Sequence, residues 1–154
     1  MPIFWQDKMS VANEQIDDEH KYLFCLINTV ELSLKLEGEE ETLGQVIDQL
    51  IDYTQLHFDH EEKIQIKMKY PRHHEHRIEH LQILENLQVL KEQLTQKTES
   101  SGENSDEVKS LKKKLSKATE KEIVQLMREW VLDHVLKKDQ DMTKYLSRLP
   151  SNFR

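Results

Sequence analysis

Residues 43–68, LGQVIDQLIDYTQLHFDHEEKIQIKM, decide how the chain folds. Leu43, Ile47, Leu50, Thr54, His57, Glu61, Ile64 and Met68 recur at intervals of three and four, the repeat that aligns side chains along one face of an α-helix. The spacing predicts a helix over residues 42–69. His57 and Glu61 stand on its inward stripe where apolar side chains are expected. Tyr70-Pro71 closes the helix, because the residue before a proline is pushed out of helical geometry.

Three other stretches repeat the pattern. Ile16, His20, Leu23, Ile27, Val30 and Leu34 predict a first helix over 17–36, capped by Asp17 or Asp18. Gly38 and Glu39-Glu40-Glu41 make the turn that follows. His76, His80, Ile83 or Leu84, Leu87, Leu90 or Lys91, and Leu94 predict a third helix over 72–97. Ile123, Met127, Trp130 and His134 mark a fourth that ends near Leu146, before the short tail 149–154. Between the third and fourth, TESSGENSD (98–106) reads as a polar loop. Residues 107–119 then read as an extra helical stretch with Lys112-Lys113-Lys114 outward, either a passive insertion or a partner surface. The expected fold is all-α: an antiparallel up-down-up-down four-helix bundle with an N-terminal arm and an extended connection between helices three and four. Its 154 residues suit a single domain.

Composition agrees. Charged residues make up 33% and aromatics 6%, with three Gly and three Pro, a balance that favours long helices over strands and turns. A formal charge of −7 without a broad basic face argues against nucleic acid as a partner. No stretch approaches the roughly 18 apolar residues of a membrane span. The start, Met1-Pro2-Ile3-Phe4-Trp5-Gln6-Asp7, lacks the basic and apolar runs of a secretion signal. Cys25, among Leu23-Phe24 and Leu26-Ile27, reads as a small packed side chain. These features predict a reducing, cytoplasmic setting.

The histidines carry the functional signal. His20, His57 with Glu61, His76 with His80, and His134 fall on four separate inward stripes. A spacing of four places two side chains one turn apart on one face, which suits two ligands of one metal site. Each element alone is weak, since a lone inward His is usually a satisfied core histidine and a His–Glu pair four apart is often exposed. Taken together they are not, because burying so many polar groups unsatisfied costs about 2 kcal/mol or more each. A bound metal satisfies them all. Imidazole and carboxylate without thiolate suit Fe, Mn or Zn. A single zinc takes about four ligands, so this set is enough for two ions.

The chain resembles the hemerythrin family, in its bacterial branch. The resemblance lies in Trp5, Ile16-Asp17-Asp18-Glu19-His20-Lys21-Tyr22-Leu23-Phe24, and His57-Phe58-Asp59-His60-Glu61-Glu62. It continues in Tyr70-Pro71 followed by His76 and His80, and in Trp130-Val131-Leu132-Asp133-His134 with Asp139. It implies two Fe ions, one held by His76, His80 and His134 and the other by His20 and His57. Glu61, Asp139 and a solvent-derived oxygen would bridge them. On that count the His20/His57 iron has one vacant position, where O₂ binds reversibly and takes one electron from each ferrous ion. Leu23, Phe58, Trp130 and Leu136 match the family's pocket positions and imply a dry apolar wall. Asp139 is not apparent from spacing: it follows His134 by five residues, roughly 140° around a regular helix, so a π-bulge is expected between them. Asp141 lies on a better face but roughly 10 Å further along the axis, and the resemblance alone selects Asp139.

The implied function is O₂ storage, delivery or scavenging, without catalysis, with O₂ and an unidentified protein recipient as partners. Oxygen-activating di-iron bundles use mostly Glu ligands with Glu-x-x-His pairs. Five imidazoles with two carboxylates should instead disfavour O–O cleavage. Two alternatives share the scaffold: a di-iron peroxidase or nitric oxide–handling enzyme, and an iron- or oxygen-sensing regulator. Gln65 stands where the family often has Met, and it either enters the pocket or points outward. His60, His73 and His74 lie outside the ligand pattern and read as exposed.

Overall fold

The computed structural model describes residues 1–36, 40–94, 105–115 and 118–154. Four long helices carry the fold: α1 (Glu14–Ser33), α2 (Glu40–Lys67), α3 (His73–Leu94) and α5 (Glu120–Asp133). The shorter α4 (Asp106–Leu115) lies between α3 and α5 in sequence and packs on α3. The chain runs on from α5 through a π-helical turn, His134–Lys138, and a 3₁₀ turn, Asp139–Met142, into α6 (Thr143–Leu146). Among the described residues there is no strand. The turn at Gly38, the extension of the third helix to Lys97 and the polar loop over 98–104 lie outside the described residues.

Cross-helix contacts set the directions. Glu19 meets His60 and Tyr22 meets Tyr53, so α1 and α2 run antiparallel. Glu62 meets His80 and Gln65 meets His73, which does the same for α2 and α3. His20 meets Asp139 and Glu31 meets Arg128, closing α5 and its continuation back onto α1. The expected antiparallel bundle is the observed one, with α1 touching both α2 and α5.

Local chemistry explains the helix ends. Asn13, not Asp17 or Asp18, caps α1, and its side-chain oxygen accepts from the Ile16 N–H. Asp17 is used elsewhere: it accepts from Ser10 Oγ at 2.5 Å and from the Val11 N–H at 2.9 Å, tying down the N-terminal arm. The arm is also pinned by Asn28, which exchanges two hydrogen bonds with the Ile3 backbone. Helix α2 ends with Lys69 left-handed at φ 54°, the Tyr70 N–H reaching Gln65 O and the Lys69 N–H reaching Ile66 O. Thr119 opens α5 with a capping box to Glu122.

The core has two apolar parts. The larger holds Leu23, Phe24, Ile27, Val30, Ile47, Leu50, Leu87, Leu90, Ile123 and Met127, with Val108 of α4 added to it. The smaller holds Val11, Ile16, Ile64, Tyr70, Met142 and Leu146. The inward histidines and acids lie between them, as in Ile16–His20–Leu23 on α1. Cys25 is exposed, contrary to the packed position expected of it. Leu23, Phe24, Leu26, Ile27 and Val30 take the inward arc of α1, and helical periodicity leaves Cys25 facing out.

Candidate metal centre

The structure brings together His20 from α1, His57 and Glu61 from α2, His76 and His80 from α3, and His134 with Asp139 from the continuation of α5. Glu61, His76, His80, His134 and Asp139 offer one mutually close set of donor atoms; His20, His57, Glu61 and Asp139 offer a second. Both sets are buried throughout, and Glu61 and Asp139 belong to each.

The two carboxylates divide their oxygens between the histidine groups. Glu61 Oε2 lies 3.3 Å from His76 Nε2 and 3.1 Å from His80 Nε2. Its Oε1 faces the other way, 3.6 Å from His57 Nε2 and 3.8 Å from His20 Nε2. Asp139 repeats the division, with Oδ1 3.0 Å from both His76 and His134 Nε2, and Oδ2 3.0 Å from His20 Nε2. Asp139 reaches this position because the π-helical turn absorbs one extra residue after His134, and the Asp139 N–H bonds to His134 O. The distortion expected between these two residues is therefore present, and Asp141 instead pairs with Arg72 at the surface.

Outer nitrogens are held from behind. His57 Nδ1 lies 2.7 Å from Glu19 Oε2, and the other Glu19 oxygen lies 2.6 Å from His60 Nδ1. His80 Nδ1 lies 3.0 Å from Glu62 Oε1, and His134 Nδ1 lies 3.9 Å from Glu79 Oε2. Such contacts fix ring orientation and leave the opposite nitrogen free for a ligand role. Sequence reading missed these three glutamates. For Glu62 and Glu79 the available signal was their position beside the ligand-type residues Glu61 and His80; Glu19 likewise adjoins His20.

Opposed effects set the charges in the cluster. Burial and the Asp139 charge push Glu61 up, yet the His57 charge and the close His76 and His80 nitrogens win and hold it well below the usual range. Burial likewise opposes ionised Asp139, and His134, His20 and His76 together hold it well down. For His76, burial works against the proton, but the adjacent Asp139 and Glu61 carboxylates raise it to about 10. Eight buried side-chain atoms still have no hydrogen-bond partner: both nitrogens of His20, His57 Nε2, His76 Nε2, and all four carboxylate oxygens of Glu61 and Asp139. Each costs about 1–3 kcal/mol when left so. These orphans all converge on one place, and their nitrogen and oxygen chemistry without thiolate fits iron, manganese or zinc.

The surroundings match the expected pocket in part. Leu23 is 1% exposed and Phe58 3%. The Phe58 ring stacks on His80 with centroids 3.7 Å apart and 5° between planes. Trp130 is half-buried against the larger core cluster, whereas Leu136 is 39% exposed on the π-helical turn. Gln65 points inward and is fully buried, its Nε2 donating to Met142 Sδ at 3.2 Å and its Oε1 3.0 Å from His73 Nδ1. His74 is exposed, as expected; His60 and His73 are only partly so, because Glu19 and Gln65 hold them against the bundle.

Fold and site together define a helical bundle whose buried donors suit a pair of cations. The chain belongs to the hemerythrin family: residues 11–146 match the hemerythrin HHE cation binding domain. It is 24% identical to a bacteriohemerythrin of Clostridium acetobutylicum over 140 residues, covering 89% of this chain and 95% of that one. A bacteriohemerythrin of Stenotrophomonas maltophilia is 29% identical over 69 residues, 45% of this chain, and the match spans only 44% of that relative's length. A hemerythrin-like protein of Naegleria gruberi is 24% identical over 90 residues, 58% of this chain and 70% of that one. No solved structure matches the chain significantly.

Proposed function

We propose that the chain holds two iron ions and binds O₂ reversibly, as a carrier or store rather than an enzyme. His76, His80 and His134 would hold one ion and His20 and His57 the other, with Glu61 and Asp139 offering an oxygen to each. The observation that carries this reading is the division of each carboxylate's oxygens between the two histidine groups. One donor set has five residues and the other four, so the His20/His57 side has room for one more ligand. When bound, two ferrous ions supply the two electrons that hold O₂.

The chain's own residues supply the rest. Leu23 and Phe58 are buried and exclude water from the bundle interior, Trp130 packs against the larger core cluster, and Leu136 contributes at most to the rim. Glu19 holds His57 in one ring orientation. Residues 1–154 form one domain on this reading. We place it in the cytoplasm, with O₂ and an unidentified recipient protein as partners and with neither nucleic acid nor membrane involved. No described helix is long and apolar enough to cross a membrane. The test is anaerobic reduction of the iron-loaded protein followed by O₂ titration. Visible absorption that appears with O₂ and disappears when O₂ is removed supports the reading. Irreversible oxidation with turnover of a reducing substrate overturns it in favour of an enzyme.

A further inference from the structure

The ligand set is almost wholly shielded from solvent. His20, His57, Glu61 and Asp139 are 0% exposed, His80 1%, and His76 and His134 4% each. The two most exposed ligands lie on the same seam, where the start of α3 faces the π-helical and 3₁₀ turns. An opening of about 10 Å³ lies there, lined by Tyr70, Arg72, His76, Glu79, Lys138 and Asp141. That is room for about one water molecule, so a hydrated cation passes only if the seam widens.

Two ion pairs cross the seam. Arg72 Nη1 lies 2.8 Å from Asp141 Oδ2, and Lys138 Nζ lies 3.0 Å from Glu79 Oε1. All four side chains are between 32% and 50% exposed, where water screens the attraction and such pairs break readily. Arg72 also keeps Glu75, 3.1 Å from its Nε, so releasing Asp141 does not strand its charge. The moving wall is a π-helical turn followed by a 3₁₀ turn, both poorer in hydrogen-bond geometry than an α-helix. Once the pairs part, Glu79 and Asp141 face the incoming cation, and Glu79 already stands 3.9 Å from His134 Nδ1.

We propose that divalent cations reach and leave the ligand set through this seam, with the Arg72–Asp141 and Lys138–Glu79 pairs as its latch. This rests on the reading of the cluster as a metal centre. The test mixes metal-free full-length protein rapidly with Co²⁺ and follows the visible absorption of the bound ion. R72A/K138A should load about tenfold faster than the wild type, to the same final number of ions per chain. R72A alone should fall between them, and R72K/K138R, which keeps both charges, should load at the wild-type rate. R128A, which breaks the ion pair with Glu31 away from the seam, should also load at the wild-type rate. Equal rates for the wild type and R72A/K138A overturn the seam alone. So does an equal acceleration in R128A, which would mean that general loosening governs uptake. If the wild type takes up no Co²⁺ or Fe²⁺, the metal-centre reading falls as well.

Discussion

Each of three glutamates stands behind a ligand-type histidine, and each is itself held by a basic group. His60 holds Glu19, Arg77 approaches Glu62, and Lys138 holds Glu79. His20 has no such support, and its Nδ1 is buried without a partner. The His20/His57 pair therefore depends on Glu19 for orientation. E19Q should weaken metal binding on that side by about 10- to 100-fold, measured by competition with a chelator. H57A should lose the ion on that side and leave fewer than two metals per chain by elemental analysis; two retained ions with intact O₂ binding would refute the assignment. The His76 proton gives a pH prediction. Its value rises from 6.5 to about 10 in the folded, metal-free protein. The proton therefore stabilises that state fully below pH 6.5, and the contribution fades as pH climbs toward 10. A metal ion needs the same nitrogen and must expel the proton. Loading at neutral pH should release protons, and affinity should rise with pH. A pH-stat titration that records no release would contradict this.

Helix ends show where local chemistry sets the elements. Lys69 adopts φ 54° at the end of α2, a conformation that costs a non-glycine residue about 1 kcal/mol. T119A removes the hydroxyl half of the capping box, leaves the residue-119 N–H bonded to Glu122, and should cost about 1 kcal/mol in urea titration. The four long helices were legible because periodicity repeats over many residues. Their starts were less so: Asp17 suits a cap, but the fold of the N-terminal arm commits it to Ser10 and Val11 and leaves the cap to Asn13. The π-helical turn has no signature in local propensity. Only the family resemblance pairs Asp139 with His134, and their spacing of five residues then requires a distorted turn.

Across the molecule, a polar layer sits between two apolar clusters, and that arrangement couples metal to stability. The buried orphans of Glu61, Asp139 and the histidines burden the metal-free fold. Binding that favours the folded state adds about 2.7 kcal/mol at a hundredfold excess over the dissociation constant. Stripping the metal with a chelator should thus lower the melting temperature by roughly 5–10 °C. An unchanged melting curve would mean that the cluster is not metal-loaded in the starting protein.

Spacing along the chain determined that four helices form, which faces turn inward, and that five histidines and Glu61 share the interior. Those facts are readable because a helix repeats every 3.6 residues, so sequence distance converts directly into direction. Tertiary structure alone decided that Gln65 turns inward to Met142 and His73, and that Glu19 spans His57 and His60. It also decided which carboxylate oxygen faces which histidine. These outcomes depend on contacts between helices far apart in the chain, whose rotation and offset are set by packing rather than by any local pattern.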